Sequence, residues 1–102
     1  MPTVVDPRCG RKIRALRKAA GMSLRDLAGE ADLDYTYLSK IERGKSPSPS
    51  TEALIRIADA LDADADRLLA LAGKIAPDVE QMLIEHPDLM GIVREKAKAV
   101  PA

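Results

Sequence analysis

A chain of 102 residues with no Phe, no Trp and only two Tyr must build its interior from Leu, Ile, Val and Ala, and it lacks the alternating β-branched and aromatic runs that make sheets. Lys plus Arg equal Asp plus Glu at sixteen each, so the formal charge is zero, which excludes coating of a polyanion through bulk basicity. A single cysteine excludes a disulfide framework or an all-cysteine zinc site, and no run approaches about 18 apolar residues, which excludes a membrane-spanning helix.

An all-α fold follows, with one compact domain and a further helical segment. The charge is unevenly placed. Residues 1–61 hold eleven Lys/Arg against eight Asp/Glu, net +3, while residues 62–102 hold five against eight, net −3. A polyanion is therefore expected at the N-terminal part. With Cys9 alone and no long apolar core in MPTVVDPRCG, the expected compartment is the reducing cytoplasm.

Residues 1–7, with two prolines, read as a loose leader before a domain spanning 8–73. From 8 to 20 the apolar residues Ile13, Leu16 and Ala20 recur at helical spacing, and Gly21 ends the helix. Arg8, Arg11, Lys12, Arg14, Arg17 and Lys18 make its outer face basic, which taken alone is a solvated face.

Residues 23–44, SLRDLAGEADLDYTYLSKIERG, read as two short helices joined by a tight turn. Ser23 and Asp26 have capping-box spacing, Asp34 caps the next helix, and Gly44 stops it. Leu27, Ala28 and Ala31 mark the inner face of the first helix; Leu33 sits in the turn; Leu38 and Ile41 mark the inner face of the second. Ala28 keeps the seam narrow, because a methyl lets two helix backbones cross steeply. Tyr35, Thr36, Tyr37, Ser39, Lys40 and Arg43 are left facing outward.

The prolines of the 45–50 loop, KSPSPS, forbid helix continuation. Its amides and hydroxyls suit a phosphate, and Ser50 suits an N-cap. A helix over 51–61 buries Leu54, Ile57, Ala58 and Leu61, and Asp64 caps a fifth. There Leu68, Leu69 and Leu71 offer more apolar surface than a small bundle covers, so Leu68 and Leu71 are expected at an interface. Over 74–102, Pro77 opens a helix with Val79, Met82 and Leu83 on one side. His86 and Pro87 break it, and Leu89, Ile92, Val93 and Ala97 mark a second helix. This hairpin is expected to self-associate through Val79, Met82, Leu83, Leu89, Ile92 and Val93; the alternative occupant is another protein.

With LRKAAGMSLRDLA, the run 37–44 and the run 54–61 in this order, residues 11–72 resemble the Cro/repressor-type (xenobiotic-response-element) helix-turn-helix regulators of bacteria and phages. The resemblance implies five helices, with Tyr35, Thr36, Tyr37 and Lys40 at base edges in the major groove. It also implies an Arg17–Glu42 ion pair beside a phosphate, and phosphate contacts from Arg17, Ser23, Arg25, Arg43, Lys45 and Ser46. Two positions depart from the pattern. Leu24 stands where many members carry a phosphate-binding glutamine, which leaves that contact to the helix-start amides or Arg25, and Asp32 stands where glycine is common. The implied function is a sequence-specific, double-stranded-DNA-binding regulator, a repressor acting as a homodimer on a palindromic operator. The alternative is an antitoxin or adaptor whose hairpin holds a protein partner.

Nothing points to an enzyme, a metal or a cofactor. His86 reads as a helix-end residue, Cys9 has no motif supplying a base, and Asp62, Asp64 and Asp66 are not followed by the glycine and bidentate glutamate of a calcium loop.

Overall fold

The computed structural model describes residues 7–46 and 49–100, and all regular structure among them is helical. In chain order the helices are α1 (Pro7–Ala19), α2 (Leu24–Glu30), α3 (Tyr35–Glu42), α4 (Thr51–Ala60), α5 (Ala65–Leu71), α6 (Pro77–Glu85) and α7 (Asp88–Ala99). None is long and apolar enough to cross a membrane. Pro7 belongs to α1, and the rest of the leader expected over 1–7, residues 1–6, lies outside the described residues.

Helices α1 to α5 close around one aliphatic core. Ile13, Leu27, Leu38, Leu54, Ile57 and Leu69 are its largest fully buried side chains, one or two from each helix. Burying each contributes roughly 1.5–3 kcal/mol, so the core outweighs any single polar contact in the domain. The packing partners are α1 with α3 and α5, α2 with α3 and α4, and α4 with α5.

This arrangement corrects the reading of α5. Leu68 is 2% exposed and Leu69 fully buried, because α5 is covered by both α1 and α4. Leu68 is therefore core and unavailable to a partner, whereas Leu71 is half-buried at the edge.

Side chains and backbone close the ends of these helices in a repeated way. Ser23, Asp34, Ser50 and Asp64 each accept a backbone amide hydrogen at the start of α2, α3, α4 and α5, satisfying donors that have no partner inside the helix. At the far ends, Met22 N–H donates to Arg17 O, Leu33 to Ala28, Lys45 to Lys40, Ala63 to Ala58 and Lys74 to Leu69. That closure needs a left-handed residue just before the donor. Gly44 (φ 68°) supplies it after α3, but Asp32 (φ 53°) and Asp62 (φ 52°) supply it after α2 and α4, as aspartate tolerates this region better than most side chains.

Two features bring α1 against the C-terminal turn of α3. Gly10 faces the Ile41 and Glu42 carbonyls so closely that a Cβ would meet Glu42 O at 2.8 Å and Ile41 O nearer still. Two turns on, Arg17 donates from Nε and Nη2 to the two carboxylate oxygens of Glu42 at 2.7 and 2.9 Å, and from Nη1 to Met22 O at 3.0 Å. The side chains of this pair are only 12% and 5% exposed. The Glu42 hydrogen bonds hold the Arg17 guanidinium above its ordinary pKa.

The α6–α7 hairpin is built differently. Neither helix has a side-chain cap, and neither buries a residue fully. Among the described residues, only Ala76, just before α6, and the half-buried Val79 join it to the core.

Three outcomes are expected from the surroundings of Gly29, Gly10 and Glu42. Gly29 has nothing within 4 Å of a built Cβ, so Gly29→Ala should stabilise by about 0.5–1 kcal/mol through helix propensity. Gly10→Ala should instead destabilise by about 1–3 kcal/mol, since two backbone carbonyls must move; urea midpoints of both variants check the opposite signs. Glu42→Ala, which leaves a poorly hydrated guanidinium unpaired, should cost about 3 kcal/mol in the same assay, and a loss under about 1 kcal/mol would show the pair to behave like a surface bridge.

Candidate nucleic-acid interface

Helix α3 has one face sunk in the core and one face bare. Asp34 Oδ2 accepts from Tyr37 N–H at 3.1 Å and fixes the first turn, while Leu38 and Ile41 are buried at 0% and 2% exposure. The helical period then turns Tyr35, Thr36 and Lys40 outward, and all three are exposed. Among the described residues the Thr36 and Lys40 side chains engage no partner.

Tyr37 departs from this set. Its ring is half-buried against the core, and its phenol oxygen accepts the Ser50 amide hydrogen at 3.0 Å. The outward direction expected for it gives way to an anchoring one: it ties the recognition-type helix to the start of α4. Side-chain direction within a turn, which periodicity alone does not resolve, makes the difference.

The cations around α3 fall into three states. Arg17 uses three N–H groups on Glu42 and Met22 O, which leaves two. Exposed Arg43 folds back to donate to Ser39 O at 3.3 Å. Lys45 is exposed beyond Gly44 and has no side-chain partner among the described residues, and Ser46 beside it is half-buried. Residues 47 and 48 of this loop lie outside the described residues.

At the start of α2, Ser23 N–H donates to Asp26 Oδ2 at 2.9 Å and Asp26 N–H donates to Ser23 Oγ at 3.0 Å. The expected capping box is present. Hydrogen bonds from the Ser23 backbone, then its hydroxyl, hold the Asp26 carboxyl below its ordinary pKa. A carboxylate thus occupies the helix start, and half-buried Leu24 packs on the core. Arg25 is the one cation of α2, and its guanidinium carbon lies 4.9 Å from the centroid of the Tyr35 ring.

Two residues escaped the sequence reading. Arg56 donates to Asp32 O at 3.3 Å and to Glu52 at 2.7 Å, bracing the turn between α2 and α3; its i,i+4 spacing from Glu52 was the available signal. The second is Ile84, 60% exposed, which joins Met82 (51%), Ile92 (52%) and Val93 (55%) on the hairpin surface. Leu83 and Leu89 are half-buried.

Residues 8–71 match the family model described as a helix-turn-helix domain. The HTH-type transcriptional regulator SlrR of Bacillus subtilis is 37% identical over 76 residues, covering 74% of this chain and 45% of SlrR. The chain spans about half the length of the curated relatives it matches. Among solved structures, SinR, the master regulator for biofilm formation, in complex with DNA is 38% identical with a TM-score of 0.57, over 60% of this chain and 97% of that one. The clp gene regulator ClgR of Corynebacterium glutamicum is 26% identical with a TM-score of 0.60, over 93% of this chain and 97% of that one. With a family model matching residues 8–71 and relatives that are HTH-type transcriptional regulators, the chain belongs to the helix-turn-helix domain family, of the Cro/repressor (xenobiotic-response-element) type.

Proposed function

We propose that this protein is a sequence-specific double-stranded-DNA-binding repressor that acts in the cytoplasm as a homodimer on a palindromic operator. The observation that carries the reading is the exposed set Tyr35, Thr36 and Lys40 on a helix whose other face is held by the core. A helix about 10–12 Å wide fits the major groove, where each base pair shows a distinct donor and acceptor pattern. Lys40 donates to guanine O6 or N7. Thr36 offers a hydroxyl and a methyl, the latter suited to thymine. Arg43, Lys45, Ser46 and the remaining N–H groups of Arg17 hold flanking phosphates and set register without reading sequence, while the Ser23 hydroxyl expected to join them is engaged with Asp26. SinR, a relative, is solved in complex with DNA, which supports DNA as the target.

The homodimer rests on the hairpin. Helices of 9 and 12 residues that bury nothing fully are marginal in water, and their exposed Met82, Ile84, Ile92 and Val93 gain by covering one another in a second copy. One α3 reads only a few base pairs; two, about 34 Å apart on one DNA face, read a palindrome. A dimer so seated excludes other proteins from that DNA, which is repression in its simplest form.

Lys40→Ala should relax the preference at one base position and weaken specific binding by about 1–3 kcal/mol, read by competition between operator variants; unchanged selectivity removes Lys40 from the reading set. The double substitution Ile92→Glu, Val93→Glu, at exposed positions, should convert a dimer to a folded monomer by light scattering. A wild-type chain that is monomeric at micromolar concentration instead assigns the hairpin to another protein, the antitoxin or adaptor alternative.

A further inference from the structure

Arg25, near the start of α2, and Tyr35, the first residue of α3, are stacked, with 4.9 Å between guanidinium carbon and ring centroid. The contact crosses the turn between the two helices. Among the described residues the Arg25 guanidinium makes no hydrogen bond or ion pair. Arg17, Arg43, Arg56 and Arg67 differ, each having a carbonyl or carboxylate oxygen within reach. A face-on contact with a ring engages the plane of the guanidinium and leaves its rim of N–H donors open.

We propose that Arg25 reads a guanine. The Tyr35 ring holds the guanidinium plane and aims its donor fork at O6 and N7 in the major groove, so that Arg25 and Tyr35 act as one reader and Tyr35 is the positioning residue of the pair. This rests on the DNA-binding reading above and revises the role expected for Arg25, that of a phosphate contact.

Two observations favour a base over a phosphate, and the shape of the arginine fork then favours guanine among the bases. A phosphate anchor needs only charge, which a flexible side chain supplies, whereas the contact with the Tyr35 ring ties Arg25 to α3 and narrows its choice of conformations before binding. The Asp26 carboxylate at the start of α2, kept charged by its hydrogen bonds to Ser23, disfavours a phosphate at that end. Finally, the planar fork of arginine matches guanine in two places at once, the commonest specific contact in the major groove.

The test is selection of bound duplexes from a random-sequence DNA library by the full chain and by Arg25→Ala, Arg25→Lys, Tyr35→Phe and Tyr35→Ala. Both positions are exposed, and thermal melting of each variant verifies folding. The wild type is expected to select a motif with a guanine that Arg25→Ala no longer prefers, a roughly 10- to 100-fold discrimination falling to parity with other positions unchanged. Tyr35→Phe keeps the ring and should keep that guanine. Arg25→Lys keeps a donor but loses both the fork and its planar seat on the ring and should weaken that preference, while Tyr35→Ala should lose it. An Arg25→Ala variant that selects the same motif, with affinity lowered equally for all sequences and a flatter salt dependence, overturns the proposal and leaves the DNA-binding reading standing. A wild-type chain that enriches no motif overturns both.

Discussion

Helix α3 has eight residues, too few to stay helical unaided in water, so its outer face exists only because its inner face is held. The contact of its last turn with α1 is the constraint on which the rest depends. Gly10 lets the α1 backbone come against the Ile41 and Glu42 carbonyls, and Leu38 and Ile41 fill the space beside it. The Arg17 guanidinium then joins three pieces of chain, binding Glu42 on α3 and the Met22 carbonyl ahead of α2 from its place on α1. A partly buried ion pair is weak evidence of net stability, since desolvation offsets most of its attraction. Its effect here is geometric: a two-pronged contact admits one orientation of α3, while the aliphatic core supplies the energy.

The molecule has two regimes of order. Helices α2 to α5 are capped by side chains at their starts, and all five helices of the domain close at their ends with the same backbone bond. Each local choice agrees with the global packing, which is the condition for a single rigid state. The hairpin has neither device and buries no residue fully. A reader must be rigid before it meets its target, or the ordering of its side chains is charged against affinity. An association element can be conditional, and coupling its order to a second copy makes occupancy of a two-part target depend on protein concentration.

Much of this was legible in the residues. The caps at Ser23, Asp34, Ser50 and Asp64 are local signals, and all four are formed. Asp32 takes the left-handed turn that glycine usually supplies. The Arg17–Glu42 pair came through the family resemblance and stands. What escaped is what local signals do not encode. A glycine inside α1 looks like a weak helix former, and only the approach of α3 gives it a purpose. Counting leucines on α5 suggested surplus apolar surface, because a count does not say that two other helices cover Leu68 and Leu69. Tyr37 and Arg25 turn on side-chain direction: the first reaches the Ser50 amide thirteen residues on, the second a ring ten residues away across a turn. Neither spacing is a helical period.

Net charge decides how such a reader discriminates. Affinity for any DNA rises with the number of phosphates neutralised and falls steeply with salt. A chain of formal charge zero, with its excess of cations confined to residues 1–61 and its excess of anions to 62–102, gains little from that term away from the correct face. On the proposed reading, specific and non-specific binding then differ mainly through the few donors offered to bases, the exposed Lys40 and Thr36 on α3 with Arg25 beside them over the Tyr35 ring. On the same proposed reading, anchoring by Arg43 and Lys45 fixes where those donors fall and adds equally to affinity for every sequence. On this argument the balance of charge is part of the specificity: a more basic chain would hold DNA more tightly and distinguish its operator less well from the excess of competing sites.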